Sequence, residues 1–189
     1  MNRGRFLAGG AAAVLAPTIF APLARADVSE GELAYANFAI AAEYLMADYY
    51  ARLLKADLVR GATKSGATAA HRNESQHAQA FAKLLTDAGQ GAPAPEDFEF
   101  AWPRKTFETL GAAAAVGVQI ESAVVGAYVT AATTISVESY RSVFARALGD
   151  EARHLAVLSG VASGKPVGNA FPDALGLEDA TTMLEPFLG

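Results

Sequence analysis

Four glutamates in a repeating pattern restrict this chain more than any other feature. Two belong to Glu-x-x-His motifs, Glu74-Ser75-Gln76-His77 and Glu151-Ala152-Arg153-His154. The other two, Glu43 and Glu121, are lone acids on otherwise apolar helical stripes. Ala36, Ala39, Ile40, Met46, Ala47 and Tyr50 flank Glu43, and Ala114, Gly117, Val118, Val124, Val125 and Tyr128 flank Glu121. Spacing of i, i+3 puts a glutamate and its histidine on one helical face, one turn apart. With 12 glutamates and three histidines in 189 residues, two such pairs arise by chance roughly once in a hundred sequences. A buried carboxylate without a partner costs several kcal/mol, so Glu43 and Glu121 need one. Two lone acids and two Glu-x-x-His motifs share one solution, a pair of metal ions held between four helices.

The segments carrying these residues read as helices. Ser29-Glu30-Gly31-Glu32 is a capping box, and the proline-free run after it extends to about Ala56. Asp57 to Gly66, with two glycines, reads as a turn. A second helix spans about Ala67 to Ala88 and stops at Gly89. Residues 89 to 104 hold glycine, prolines and acids and form a long connection. A third helix spans about Lys105 to Ala132, where Thr133-Thr134-Ile135 breaks it. Ser136 caps a fourth that runs to about Ala162. Residues 163 to 189 form a C-terminal extension with one short helix near Asp179 to Leu184. No alternating strand pattern rises above noise. The expected fold class is all-α: a four-helix bundle over residues 27 to 162, made of two antiparallel hairpins joined by a long crossover.

The register agrees. Ser29 lies 14 residues before Glu43, and Gly89 lies 15 after Glu74, so an antiparallel pair levels both acids roughly 21 to 23 Å from their shared end. Glu121 and Glu151 level in the same way. Glu43 to Glu74 spans 31 residues and Glu121 to Glu151 spans 30, so the hairpins repeat across a pseudo-two-fold.

The N-terminus has a different character. Arg3 and Arg5 precede an acid-free apolar run, and Ala24-Arg25-Ala26 is a small-x-small cleavage site before Asp27. Residues 1 to 26 read as a signal peptide. Arg3-Gly4-Arg5-Phe6-Leu7 resembles a twin-arginine export signal with Gly4 in place of the second arginine, which leaves the export route open. The expectation is a periplasmic or secreted protein with no membrane anchor after cleavage. Cleavage removes three of the 15 basic residues and no acids, taking the net charge from -5 to -8. That acidity disfavours a nucleic-acid partner. The absence of cysteine excludes disulfides, thiolate zinc sites and cysteine-held iron–sulfur centres.

Over roughly residues 29 to 162 the chain resembles the ferritin-like superfamily of di-iron carboxylate proteins, whose ligand order is Glu, Glu-x-x-His, Glu, Glu-x-x-His. The resemblance implies that Glu43 and His77 bind one metal, Glu121 and His154 the other, and that Glu74 and Glu151 bridge them. Oxygen-rich ligation with two imidazoles suits iron, with manganese as the alternative. In the family an acid at the position of Asp150 orients a ligand histidine across the bundle; Asn73 stands at the equivalent position of the first hairpin, where its carbonyl could do the same. Tyr50 and Tyr128, each seven residues after a lone glutamate, are candidate neighbours of the site. His71, three residues before Glu74, reads as a surface histidine rather than a third imidazole ligand. The implied activity is that of an oxidoreductase reacting with oxygen or peroxide, as ferroxidases do. A non-catalytic stress or metal-binding protein and a manganese catalase-like activity are the alternatives. Monomer and homo-oligomer fit the pattern equally.

Overall fold

The computed structural model describes residues 28–169 and 172–189, so the expected signal peptide lies outside the described residues. The regular structure of the described residues is all helical. Four long helices, α1 (Glu30–Lys55), α2 (Gly61–Asp87), α3 (Leu110–Thr134) and α4 (Glu138–Ser163), are followed by a short α5 (Leu177–Leu184). Among the described residues the only β-pairing is a single bridge between Phe100 and Leu188.

α1 starts where its capping box places it. The Ser29 hydroxyl accepts from the Glu32 N–H, and the Glu32 carboxylate accepts from the Ser29 N–H at 2.9 Å. α2 starts six residues earlier than the glycines suggested. Gly66 costs about 1 kcal/mol inside a helix, but the hydroxyls of Ser65 and Thr68 bond back to the carbonyls of Gly61 and Lys64 and do not compete with the helix. α3 starts later than Lys105. That residue takes a left-handed conformation (φ 74°), and the helix begins only where the Thr109 hydroxyl caps the Ala112 N–H. The crossover therefore runs from Ala88 to Thr109.

Ser136 does not cap α4. The N-cap is Val137, with no capping side chain of its own. Glu32 serves instead: its Oε1 accepts from the Ser136 N–H and hydroxyl, both at 2.8 Å, and from the Val137 N–H at 3.0 Å. One carboxylate thus joins the starts of α1 and α4 and faces the positive end of both helices. Burial would raise this carboxyl, but hydrogen bonds from the Ser29 and Val137 N–H groups and from the Ser136 and Ser29 hydroxyls outweigh burial and hold it down at about 2.

The hairpins α1–α2 and α3–α4 pack most extensively within themselves and meet chiefly through α1 and α3. The Tyr49 hydroxyl donates to the Ala113 carbonyl across that contact, and the Tyr140 hydroxyl ties the start of α4 to Leu84 near the end of α2. The crossover climbs the length of α1. Phe98 lies on Tyr44, Trp102 and Phe107 lie on Tyr49, and the Trp102 indole N–H donates to Asp48. By length and composition α3 is apolar enough to cross a membrane, yet 56% of its apolar window is buried inside the bundle.

The C-terminal extension folds back onto this core. Ala180, Leu184 and Phe187 are buried. α5 packs on α3, the Leu175 N–H donates to the Gly126 carbonyl, and the Gly189 N–H donates to Glu99 in the crossover. Gly126 allows that approach: a Cβ there would stand 2.5 Å from the Leu175 side chain.

Candidate metal centre

Glu43 on α1, Glu74 and His77 on α2, Glu121 on α3, and Glu151 and His154 on α4 converge at mid-bundle. They form two overlapping sets, Glu43–Glu74–His77–Glu151 and Glu74–Glu121–Glu151–His154, each with candidate ligand atoms within 4.8 Å of one another. Glu74 and Glu151 belong to both sets. His71 belongs to neither, and its carbonyl simply accepts the Ser75 hydroxyl one turn on.

Both imidazoles turn Nδ1 inward. His77 Nδ1 lies 2.7 Å from Glu151 Oε1 and 3.3 Å from Glu43 Oε2. His154 Nδ1 lies 2.8 Å from Glu74 Oε1 and 3.0 Å from Glu151 Oε2. Each histidine therefore reaches the Glu-x-x-His carboxylate of the opposite hairpin.

Among the described residues, five buried carboxylate oxygens have no hydrogen-bond partner: both of Glu74, both of Glu121, and Oε1 of Glu151. Two of these are the oxygens closest to the imidazoles, so those N···O approaches are not aligned as hydrogen bonds. The imidazole Nδ1 atoms hydrogen-bond instead with Glu43 Oε2 and Glu151 Oε2. Ligands held about 2.1 Å from one octahedral ion stand about 3 Å apart, which is the spacing seen here. An orphaned buried acceptor costs about 1–3 kcal/mol, and more when charged. A metal site fits the donor set and removes that cost.

The electrostatics have the same shape. Burial and the neighbouring Glu151 push the Glu43 carboxyl well above the usual range, and burial with Glu151 and Glu74 does the same to Glu121. Burial would also raise Glu74, but the imidazoles of His154 and His77 beside it outweigh burial and bring that carboxyl to about 2. Burial would lower the imidazoles, yet the carboxylate of Glu151 and the acids around it carry His77 to about 12 and His154 to about 10. Protons are the only charge balance that the side chains themselves supply, and a cation would displace them.

Asp150 backs both histidines. Its Oδ2 is 3.5 Å from His77 Nε2 and its Oδ1 is 3.9 Å from His154 Nε2. Asn73 does not present its carbonyl to a histidine, as the repeat suggested; its amide donates to Asp150 Oδ2 at 2.8 Å. Because α2 and α4 face each other, one carboxylate lies within reach of both rings, and the amide holds it there. Arg153 also grips Asp150, through Nε at 3.0 Å and through Nη2. The sequence pattern carried no signal for that role, since Arg153 sits at an x position of Glu-x-x-His, which the motif leaves unspecified. The Tyr128 hydroxyl donates to Glu43 Oε1 from the opposite hairpin, and the Tyr50 ring meets the His154 ring edge-on at 5.8 Å.

The fold and the site together define an antiparallel four-helix bundle with a buried carboxylate–histidine cluster compatible with a metal site. Residues 31–163 match the family model of the ferritin-like domain, and the chain belongs to that family. No curated protein matches the chain.

Proposed function

We propose that the cluster holds two metal ions, iron first and manganese as the alternative, and that the protein is an oxidoreductase reacting with oxygen or peroxide. The five orphaned carboxylate oxygens carry this reading. In it Glu43 and His77 hold one ion, Glu121 and His154 the other, and Glu74 and Glu151 bridge, because only these two belong to both sets. Four carboxylates then balance two divalent cations. A redox-active pair there supplies electrons two at a time to one oxidant. The side chains do the rest. Asp150 faces the outer nitrogen of His77 and leaves Nδ1 free toward the cluster. Tyr128 holds a proton against Glu43 Oε1. The buried walls of α1 and α3, with Ile120, Val124 and Met46, exclude bulk water. The N-terminal segment supports a second part of the proposal, export to the periplasm or beyond.

Elemental analysis with an optical spectrum of the purified protein tests the reading, followed by oxygen uptake on adding ferrous iron. Two equivalents of metal and measurable oxygen uptake are expected. Absence of both overturns the redox assignment, and full metal retention by Glu74→Ala and Glu151→Ala overturns the ligand assignment.

A further inference from the structure

The six cluster residues differ in their contact with solvent. The His77 side chain is 18% exposed, that of His154 is 9%, and the four glutamates are at most 1% exposed. His77 opens into a cleft of about 560 Å³ between α2 and α4, bounded by Gln76 and Ala80 on one side and by Arg146, Gly149 and Arg153 on the other. Among the described residues, the opposite face of the bundle is covered by the crossover and by α5. Trp102 and Phe107 of the crossover cover Tyr49, and α5 covers α3. The remaining two faces are the tightly packed interiors of the hairpins.

The cleft has a sign. Arg146 and Arg153 are both exposed along it, and Asp150 is the one acid of its lining. Arg153 already binds that acid, whose side chain is only 12% exposed against 74% for the arginine. Two guanidinium groups against one covered carboxylate give the lining of the cleft a formal excess of one positive charge. A bare divalent cation approaching His77 meets repulsion, whereas a neutral molecule passes and a small anion is drawn in.

We propose that the α2–α4 cleft is the route from solvent to the cluster, and that Arg146 and Arg153 make it select small neutral or anionic reactants over bare divalent cations. The metal is then a resident centre rather than a stream of substrate ions. This rests on reading the cluster as a metal centre, and it decides between two uses of that centre. Arg146 and Arg153 are selectivity residues that act through the potential at the mouth.

Stopped-flow uptake of cobalt(II), read by its visible absorption, tests the proposal with the full chain. In the wild type, uptake should be slow at low ionic strength and should speed up as salt screens the arginines. In Arg146→Glu it should be on the order of tenfold faster at low salt and should slow as salt is added, with the final cobalt stoichiometry unchanged. Azide, a small anion, should perturb the spectrum of the cobalt-loaded wild type at several-fold lower concentration than that of Arg146→Glu. Ala80→Trp, which places a ring in the cleft, should slow cobalt uptake. Rates and azide sensitivity that are the same in all three proteins would overturn the cleft as the route while leaving the metal centre intact. A wild type that takes up no cobalt, iron or manganese would overturn both.

Discussion

Glu121 shows how far a single side chain is committed to a role outside the apolar core. Both of its oxygens are buried and without hydrogen bonds, in a helix rich in alanine, valine and glycine. Replacing it by leucine removes an orphaned, desolvated carboxyl. Glu121→Leu should therefore stabilise chelator-treated protein by about 1–3 kcal/mol in denaturant unfolding. The same substitution should abolish the increase in melting temperature on adding iron or manganese. Stability that falls in the chelated state would show that Glu121 holds the fold by itself. Gly126 gives an opposite lesson. Helix propensity alone predicts that Gly126→Ala gains up to about 1 kcal/mol. The added Cβ would stand 2.5 Å from Leu175 and 3.1 Å from the Asp173 carbonyl oxygen, so a net loss of about 1–3 kcal/mol is expected. Faster proteolysis between Ser163 and Leu177 should accompany it.

At the scale of elements, the starts of α1 and α4 depend on one carboxylate. Glu32→Gln should cost about 1–3 kcal/mol at neutral pH, because five donor contacts lose their charged acceptor. The pH dependence has a definite sign. The folded carboxyl sits at about 2 against an ordinary 4.5, so its contribution is complete above about 5 and is lost as pH falls toward 2. Urea unfolding of wild type and Glu32→Gln across that window should show the two stabilities converging at the acid end. A gap that stays constant would assign Glu32 a packing role alone. This partnership was invisible in the sequence. Ser136 stands where a cap belongs, and only the meeting of two helix ends 104 residues apart shows that Glu32 does the work.

For the molecule as a whole, the four central carboxylates and the metal they are proposed to hold couple folding to binding. Saturating iron or manganese at a hundred times the dissociation constant should add about 2.7 kcal/mol per site, read as a higher melting temperature by circular dichroism. A melting temperature indifferent to both metals would count against buried ligation. The C-terminal extension contributes to the same core. Removing residues 172 to 189 uncovers Trp102, the single tryptophan, from Phe187 at a ring separation of 5.9 Å. Its fluorescence should shift to the red, and the thermal transition should drop and broaden.

The helices, their hairpin order and the six converging residues were legible in the chain itself. Helical periodicity acts over a few residues, and a lone acid on an apolar stripe announces a buried partner wherever that partner lies. The starts of α2 and α3 were misplaced because glycine and turn signals are weak against a helix held by its neighbours. Asn73 was misjudged for a related reason: spacing shows that it faces the cluster, but not that Asp150 reaches both histidines and leaves the amide only a donor's task. The cap supplied by Glu32, the grip of Arg153 on Asp150, the covered α1–α3 face and the arginine-lined cleft between α2 and α4 all depend on which surfaces meet across long stretches of chain. Local sequence settles which face of a helix is buried; the packing of four helices and a returning tail settles what each buried polar group touches and where the cluster meets solvent.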